Sequence, residues 1–225
     1  MQNNVIAQSP EQVAQIGNFK AEVTVNSPGR VNLIGEHTDY NNGFVMPTAI
    51  DKSIVFYLKK NKSKSQCSIT SLNFDSTYQF DLSKPDEQGE EWTRYIVGVT
   101  EEIKKKGRNL SGFECLMFSN LPMGAGISSS AALECGLAEG LNELFSLDLS
   151  PLEIVELSQK AEHNYVGTMC GIMDQFASVM SKENHVIQLD CQSLDYILVP
   201  FNIEPYALLL LNTNVSHSLS TSEYN

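Results

Sequence analysis

The sequence predicts a mixed domain of α-helices and β-strands, and three observations carry that reading. Residues 21–26 alternate, with Val23 and Val25 on one face, as a half-buried strand does. Trp92, Tyr95, Ile96, Val99 and Ile103 recur at helical spacing. From Gly112 onward a β-like run, a glycine-rich loop and an apolar stripe of Leu133, Leu137, Leu141 and Leu144 follow one another as strand, loop and helix.

The other elements follow in chain order. After a polar, helical lead-in, the strand over 21–26 is expected to break at Ser27, Pro28 and Gly29. Residues 53–58 and 67–71 are further β-rich runs, and the lysine-dotted KKNKSKS between them reads as a solvated hairpin end. The helix containing Trp92 closes on Lys104, Lys105, Lys106 and Gly107, where cations complement the carbonyl end of the macrodipole, so this lysine run is a helix end and not a binding patch. A second capped helix opens with Ser150, Pro151 and Glu153 and continues through Ile154, Leu157, Ala161 and Tyr165. Residues 185–190 read as a strand, and the continuous apolar run 207–211 as a strand buried on both faces. Without repeats, low-complexity tracts or a linker-like stretch, residues 1–225 are expected to form one domain.

Charge narrows the partners. Fifteen Lys plus Arg against 27 Asp plus Glu give a net charge of −12, a field that repels phosphodiester backbones and anionic headgroups. Nucleic acid and membrane surfaces are therefore not expected partners, whereas a nucleotide still binds through local donors and a metal ion. The five cysteines, Cys67, Cys115, Cys135, Cys170 and Cys191, are scattered and never spaced C-x-x-C, which fits buried small hydrophobes in a reducing compartment. The N-terminus lacks the basic and apolar regions of a signal peptide, and no run approaches the ~20 apolar residues of a membrane span, so a soluble cytoplasmic protein is expected.

Three stretches carry chemistry. LPMGAGISSSAA, residues 121–132, puts glycines and serines between a strand and a helix start, where free N–H groups and hydroxyls form an anion site. It is neither a Walker loop nor a dinucleotide fingerprint, and alone it is also compatible with a serine-capped turn. GRVNLIGEHTD, residues 29–39, crowds a cation, two carboxylates and a histidine among Val31, Leu33 and Ile34, which anchor the backbone while polar side chains converge. CGIMDQ, residues 170–175, embeds an aspartate among small and apolar residues.

Pro122, Gly124, Gly126, Ser128, Ser129, Ser130 and Ala131 resemble the phosphate loop of the GHMP small-molecule kinases, with Ile127 where that family usually has Leu. Residues 29–39 together with Tyr40, Asn41 and Gly43 resemble the galactokinase sugar-binding motif, and the closing SEYN resembles a segment whose tyrosine touches the sugar. The resemblance implies an α+β fold, the GHMP-kinase N-terminal domain with a mixed sheet and packed helices. It implies transfer of the γ-phosphoryl group of ATP to the anomeric hydroxyl of galactose, with Mg²⁺ as cofactor and a monomeric full-length protein. A kinase of N-acetylgalactosamine and a non-catalytic galactose and ATP sensor share these motifs and stay open.

The same resemblance assigns residues. Asp174 is the catalytic aspartate, as a base or as an orienting group, and Arg30 stabilises charge beside it. Glu36, His37, Thr38, Asp39 and Tyr224 contact the sugar. Gly124, Ala125, Gly126, Ile127, Ser128, Ser129 and Ser130 hold ATP, with Ser71, Trp92 and Tyr95 as further nucleotide contacts, the last two equally compatible with core packing. Ser130 and Glu162 match the metal ligands. A second domain with a further glycine-rich motif, present in the family, has no counterpart in the sequence, so the chain alone is expected to be a poor catalyst.

Overall fold

A computed structural model describes residues 9–84, 91–122 and 124–211. The described elements are α1 (Pro10–Phe19), β1 (Val23–Asn32), a short 3₁₀ turn (Asp39–Asn41), β2 (Phe44–Val45), β3 (Pro47–Lys60), β4 (Gln66–Ser71), β5 (Ser76–Asp81) and α2 (Glu91–Lys105). There follow β6 (Phe113–Ser119), α3 (Ser129–Phe145), α4 (Pro151–Ala161), a π-helical turn (Glu162–Val166), α5 (Met173–Met180), β7 (His185–Asp190) and β8 (Tyr196–Pro200). Five strands form a mixed sheet in the order β1-β3-β6-β4-β5, and three form a small sheet in the order β2-β7-β8.

Alternation sets which face of the large sheet is covered. Phe56, Leu58, Cys115 and Met117 point to one face and pack with Ile96, Ile103, Leu137, Leu141 and Leu157 of α2, α3 and α4 in the main core. Leu116 and Phe118 point to the other face, where Ile16 and Phe19 of α1 pack beside them. A second apolar cluster joins Val155 of α4, Met173 and Phe176 of α5, and Ile187 and Leu189 of the small sheet. α5 is thereby held between the two sheets.

The helix signals read from sequence hold. Ser150 Oγ accepts from the Glu153 N–H at 3.3 Å, and the Glu153 carboxylate accepts from the Ser150 N–H at 2.9 Å, closing the capping box. At the end of α2, Lys104 pairs with Glu101 at 2.6 Å, Lys105 with Glu102 at 2.7 Å and Lys106 with Glu153 at 3.3 Å.

Three strand expectations are corrected. β1 does not break at Ser27, Pro28 and Gly29 but runs on to Asn32, its register to β3 shifting between Pro28 and Arg30. It is an edge strand, so the missing proline N–H interrupts no ladder on its outer side, and the bulge absorbs the irregularity. β3 and β4 do not form a hairpin, because β6 inserts between them, antiparallel to β3 and parallel to β4. Residues 207–211 are exposed and form no strand, and no described strand lies beside them to satisfy their backbone groups.

Candidate active site

The bulge in β1 aims Arg30 across the end of the sheet toward α5. Its Nε donates to Asp174 Oδ1 at 2.7 Å and its Nη2 donates to Asp174 Oδ2 at 2.8 Å, a bidentate pair. The third arm, Nη1, donates to the Gly126 carbonyl at 2.8 Å, and the Arg30 backbone N–H donates to the Ile127 carbonyl at 3.1 Å. Arg30 thus holds the aspartate with one edge and the glycine-rich loop with the other. Ser178, one turn beyond Asp174, donates to the Pro28 carbonyl at 3.1 Å and ties α5 to the bulge. Gly29 has no room for a side chain here, since a Cβ would lie 2.5 Å from Leu121 Cδ2 and 2.7 Å from the Ile127 carbonyl oxygen.

The loop before α3 is left-handed at alternate residues, with φ of 67° at Gly124, 69° at Gly126 and 60° at Ser128. Ser128 Oγ donates to Asp174 Oδ2 at 2.6 Å. Ser129 opens α3, Ile127 is buried, and Ala125 packs against the core. Ser130 lies near enough to the Glu162 carboxyl to help draw its pKa down.

On the far side of Arg30 lies the loop of residues 33–43. Burial first, and then the negative charge of Asp174, raise the Asp39 carboxyl above the usual range, while the Tyr40 N–H and Arg30 pull it down. Gly171 presses on Asp39 so closely that a Cβ there would overlap its carboxylate. Glu36 accepts from Asn32 Nδ2 at 3.4 Å, and His37 Nδ1 lies 2.7 Å from the Tyr40 hydroxyl, with a left-handed backbone of φ 62°. The Thr38 hydroxyl lies 2.7 Å from the Gly35 carbonyl and 2.8 Å from the Phe44 carbonyl, so its donor braces the loop itself.

Behind the loop sits an acidic pocket. Glu134 and Glu162 are almost fully buried, and Gln175 Nε2 donates to both, at 3.2 and 3.0 Å. Burial, and then the charge of Glu162, raise Glu134 well above the usual range, while burial, and then the charge of Asp174, raise Glu162 to about 7. The Ser130 hydroxyl and the Glu162 carboxylate are hard oxygen donors of the kind a divalent cation takes, with the Cys170 thiol 3.5 Å and the Gln175 amide nitrogen 3.0 Å from the same Glu162 oxygen.

Of the remaining predicted nucleotide contacts, Tyr95 lies near enough to the buried acidic pair for the charges of Glu162 and Glu134 to act on its phenol. Ser71 ends β4 and is 2% exposed. Trp92 stacks on Phe74 with centroids 6.5 Å apart and meets Tyr78 edge-on at 6.2 Å, and Tyr95 packs against the core, where burial pushes its phenol well above the usual range. Tyr224 lies outside the described residues. Sequence reading missed Glu134, Gly171, Gln175 and Ser178. The signal for Glu134 and Gln175 was a polar residue inside an otherwise apolar helical face; for Gly171 and Ser178 no local signal exists.

Comparison with known proteins agrees with this geometry. The GHMP kinases N terminal domain matches residues 94–182, and the galactokinase galactose-binding signature matches residues 14–60. A galactokinase of Thermosipho africanus is 46% identical over 201 residues, covering 89% of this chain and 55% of the relative, and one of Actinobacillus pleuropneumoniae is 42% identical over 209 residues, covering 92% and 54%. The chain thus spans about half the length of the curated relatives it matches. A crystal structure of Lactococcus lactis galactokinase complexed with galactose superposes with a TM-score of 0.76 at 39% identity, covering 79% of this chain and 46% of that one. Methanococcus jannaschii mevalonate kinase, at 15% identity, a TM-score of 0.66 and coverage of 80% and 56%, shares the fold. With both signatures falling on the residues that converge around Arg30, the chain belongs to the galactokinase family of GHMP kinases.

Proposed function

We propose that this chain supplies the sugar site, the phosphate loop and the catalytic pair of a galactose 1-kinase. The observation that carries the reading is the double grip of Arg30, whose bidentate bond to Asp174 and contact with Gly126 set a carboxylate beside an anion-binding loop. That juxtaposition suits phosphoryl transfer, which needs alignment and charge stabilisation more than covalent chemistry.

In this reading Glu36, His37 and Asp39 accept and donate bonds to ring hydroxyls, and the sugar lies against Gly171. The anomeric oxygen attacks the γ-phosphorus, the bond from that phosphorus to the β–γ bridging oxygen breaks, and ADP leaves. Asp174 receives or aligns the hydroxyl proton, and Arg30 offsets charge gathering on the transferred group. N–H groups at the start of α3 and through the glycine loop hold the phosphates. Ser130 and Glu162 would hold Mg²⁺, which supplies charge neutralisation at the phosphates.

Galactose-dependent formation of ADP from ATP by a protein that carries this chain together with the remaining length of its relatives, with N-acetylgalactosamine as the comparison sugar, tests the assignment. Galactose as the preferred acceptor is expected. Calorimetry with galactose and with ATP separately covers the binding steps, and a chain that binds ATP but neither sugar would remove the sugar-kinase reading.

A further inference from the structure

We propose that Gln175 is a positioning residue for the cation site: its side-chain amide holds the Glu162 carboxylate to the face of α3 that carries Ser130, in register with Asp174, the residue before it in the chain. The inference rests on the sugar-kinase reading above. Gln175 is fully buried on α5. Its Nε2 donates to Glu162 Oε2 at 3.0 Å and to Glu134 Oε2 at 3.2 Å, so one amide spends both its hydrogens on carboxyl groups from two other elements. Ser130 and Glu134 stand four residues apart on α3 and share a face, so the bridge reaches from the helix face of Ser130 to Glu162.

A role in stability alone does not account for the arrangement. Gln175 Oε1 and Glu134 Oε1 are buried without a hydrogen-bond partner among the described residues. Orphaned polar atoms of this kind destabilise a folded chain, and apolar side chains of similar volume in place of a buried polar set are commonly as stable or more so. The interior keeps the bond to Glu162 while two oxygens beside it go unpaired.

What the bond does follows from where Glu162 stands. Glu162 comes directly after α4 and opens the π-helical turn, in which the Gly167 N–H reaches back to the Glu162 carbonyl at 2.9 Å. A carboxylate that takes a metal is itself oriented by donors behind it. Here the Cys170 thiol and the Gln175 amide both meet Oε2, at 3.5 and 3.0 Å, so Oε2 is the anchored end of the carboxylate and Oε1 the end left to a cation. A thiol is a weak donor, and the amide therefore supplies the directional bond. Because Gln175 follows Asp174 on one helix, the same bond ties the position of Glu162 to that of Asp174, whose carboxylate Arg30 holds. Cation and acceptor hydroxyl are set against a common frame.

The test uses a protein that carries this chain together with the remaining length of its relatives. Calorimetry measures ATP affinity with Mg²⁺ and again in excess EDTA, and Mg²⁺ should tighten binding by the unaltered protein. Gln175→Met, close in volume but without the donor, should lower ATP affinity in Mg²⁺ about tenfold or more, the size usual for losing a partner that orients a metal ligand. ATP affinity in EDTA and galactose affinity should stay within about twofold, since neither involves the cation. The double variant Glu134→Met/Gln175→Met removes both orphaned oxygens, so it should be at least as stable as Gln175→Met in thermal unfolding and yet keep the Mg²⁺ defect. A purely structural role gives the reverse, a Mg²⁺ effect restored together with stability, and that result would overturn the proposal. A normal Mg²⁺ effect in Gln175→Met would overturn it as well, with the cation assignment left standing. Mg²⁺ without effect on ATP binding by the unaltered protein would remove the cation assignment itself, and this inference with it.

Discussion

Glu134 of α3 and Glu162 after α4 meet in the interior, two carboxyl groups bridged by one amide, Gln175 Nε2, at 3.2 and 3.0 Å. Glu134 Oε1 has no hydrogen-bond partner among the described residues. A buried acidic pair of this kind holds a proton more tightly folded than unfolded.

The first prediction is the pH dependence of stability that follows. The folded values of both carboxyls lie above the ordinary 4.5, Glu162 at about 7. Such groups bind protons on folding, so their contribution is fully present below the unfolded value and is lost as pH rises through about 7. Denaturant unfolding of the metal-free chain should therefore show stability falling between pH 5 and pH 8. Glu134→Gln removes one of the two charges and should flatten that fall, gaining stability at pH 8 relative to pH 5. An identical pH slope in the variant would mean that the pair carries no shared proton.

The second prediction concerns Gly171, whose backbone makes room for the Asp39 carboxylate. Gly171→Ala drives a methyl group into that carboxylate and must displace it. Overpacking of this kind destabilises by about 1–3 kcal/mol, and a displaced charged acceptor should weaken galactose binding tenfold or more. Asp39→Ala should give a similar loss of affinity without the loss of stability. Calorimetry and thermal unfolding on the two variants separate the effects, and normal galactose affinity in Gly171→Ala would show that the Asp39 position tolerates the shift.

How far the sequence reaches is clear from these cases. Helices with local punctuation, such as the Ser150–Glu153 box, were legible because capping is written within four residues. The run of β1 through Pro28 was not, since an edge position is a property of the whole sheet and is invisible locally. The insertion of β6 between β3 and β4 is equally non-local. Residues 207–211 show the opposite error, in which hydrophobicity alone suggested a buried strand where no pairing partner is described. In the site, the residue types of the sugar loop and the phosphate loop were legible as motifs, while Gly171 against Asp39 and Ser128 on Asp174 depend on segments more than 40 residues apart meeting in space.

The third prediction separates the roles of Arg30 and Asp174 by what each holds. Asp174→Asn keeps the shape but replaces one accepting oxygen with a donor that faces either Arg30 or Ser128, so it removes the charge and disturbs the bidentate pair. If the carboxylate takes or aligns the hydroxyl proton, kcat for galactose should fall by roughly 10²-fold or more, while galactose affinity, still supported by Glu36, His37 and Asp39, changes much less. Arg30→Ala has a wider reach, because the same guanidinium also holds the Gly126 carbonyl. It should lower kcat as strongly and in addition weaken ATP binding, since the loop loses a tether on its nucleotide side. Arg30→Lys keeps a charge but cannot bridge two carboxylate oxygens and a carbonyl at once, and should recover only part of either loss. The measurement is steady-state kinetics with both substrates saturating, on a protein that carries this chain together with the remaining length of its relatives, paired with separate binding of galactose and ATP. ATP affinity unaltered in Arg30→Ala would detach the loop from the pair, and near-normal kcat with lost galactose affinity in Asp174→Asn would make Asp174 a sugar ligand in place of a participant in the transfer.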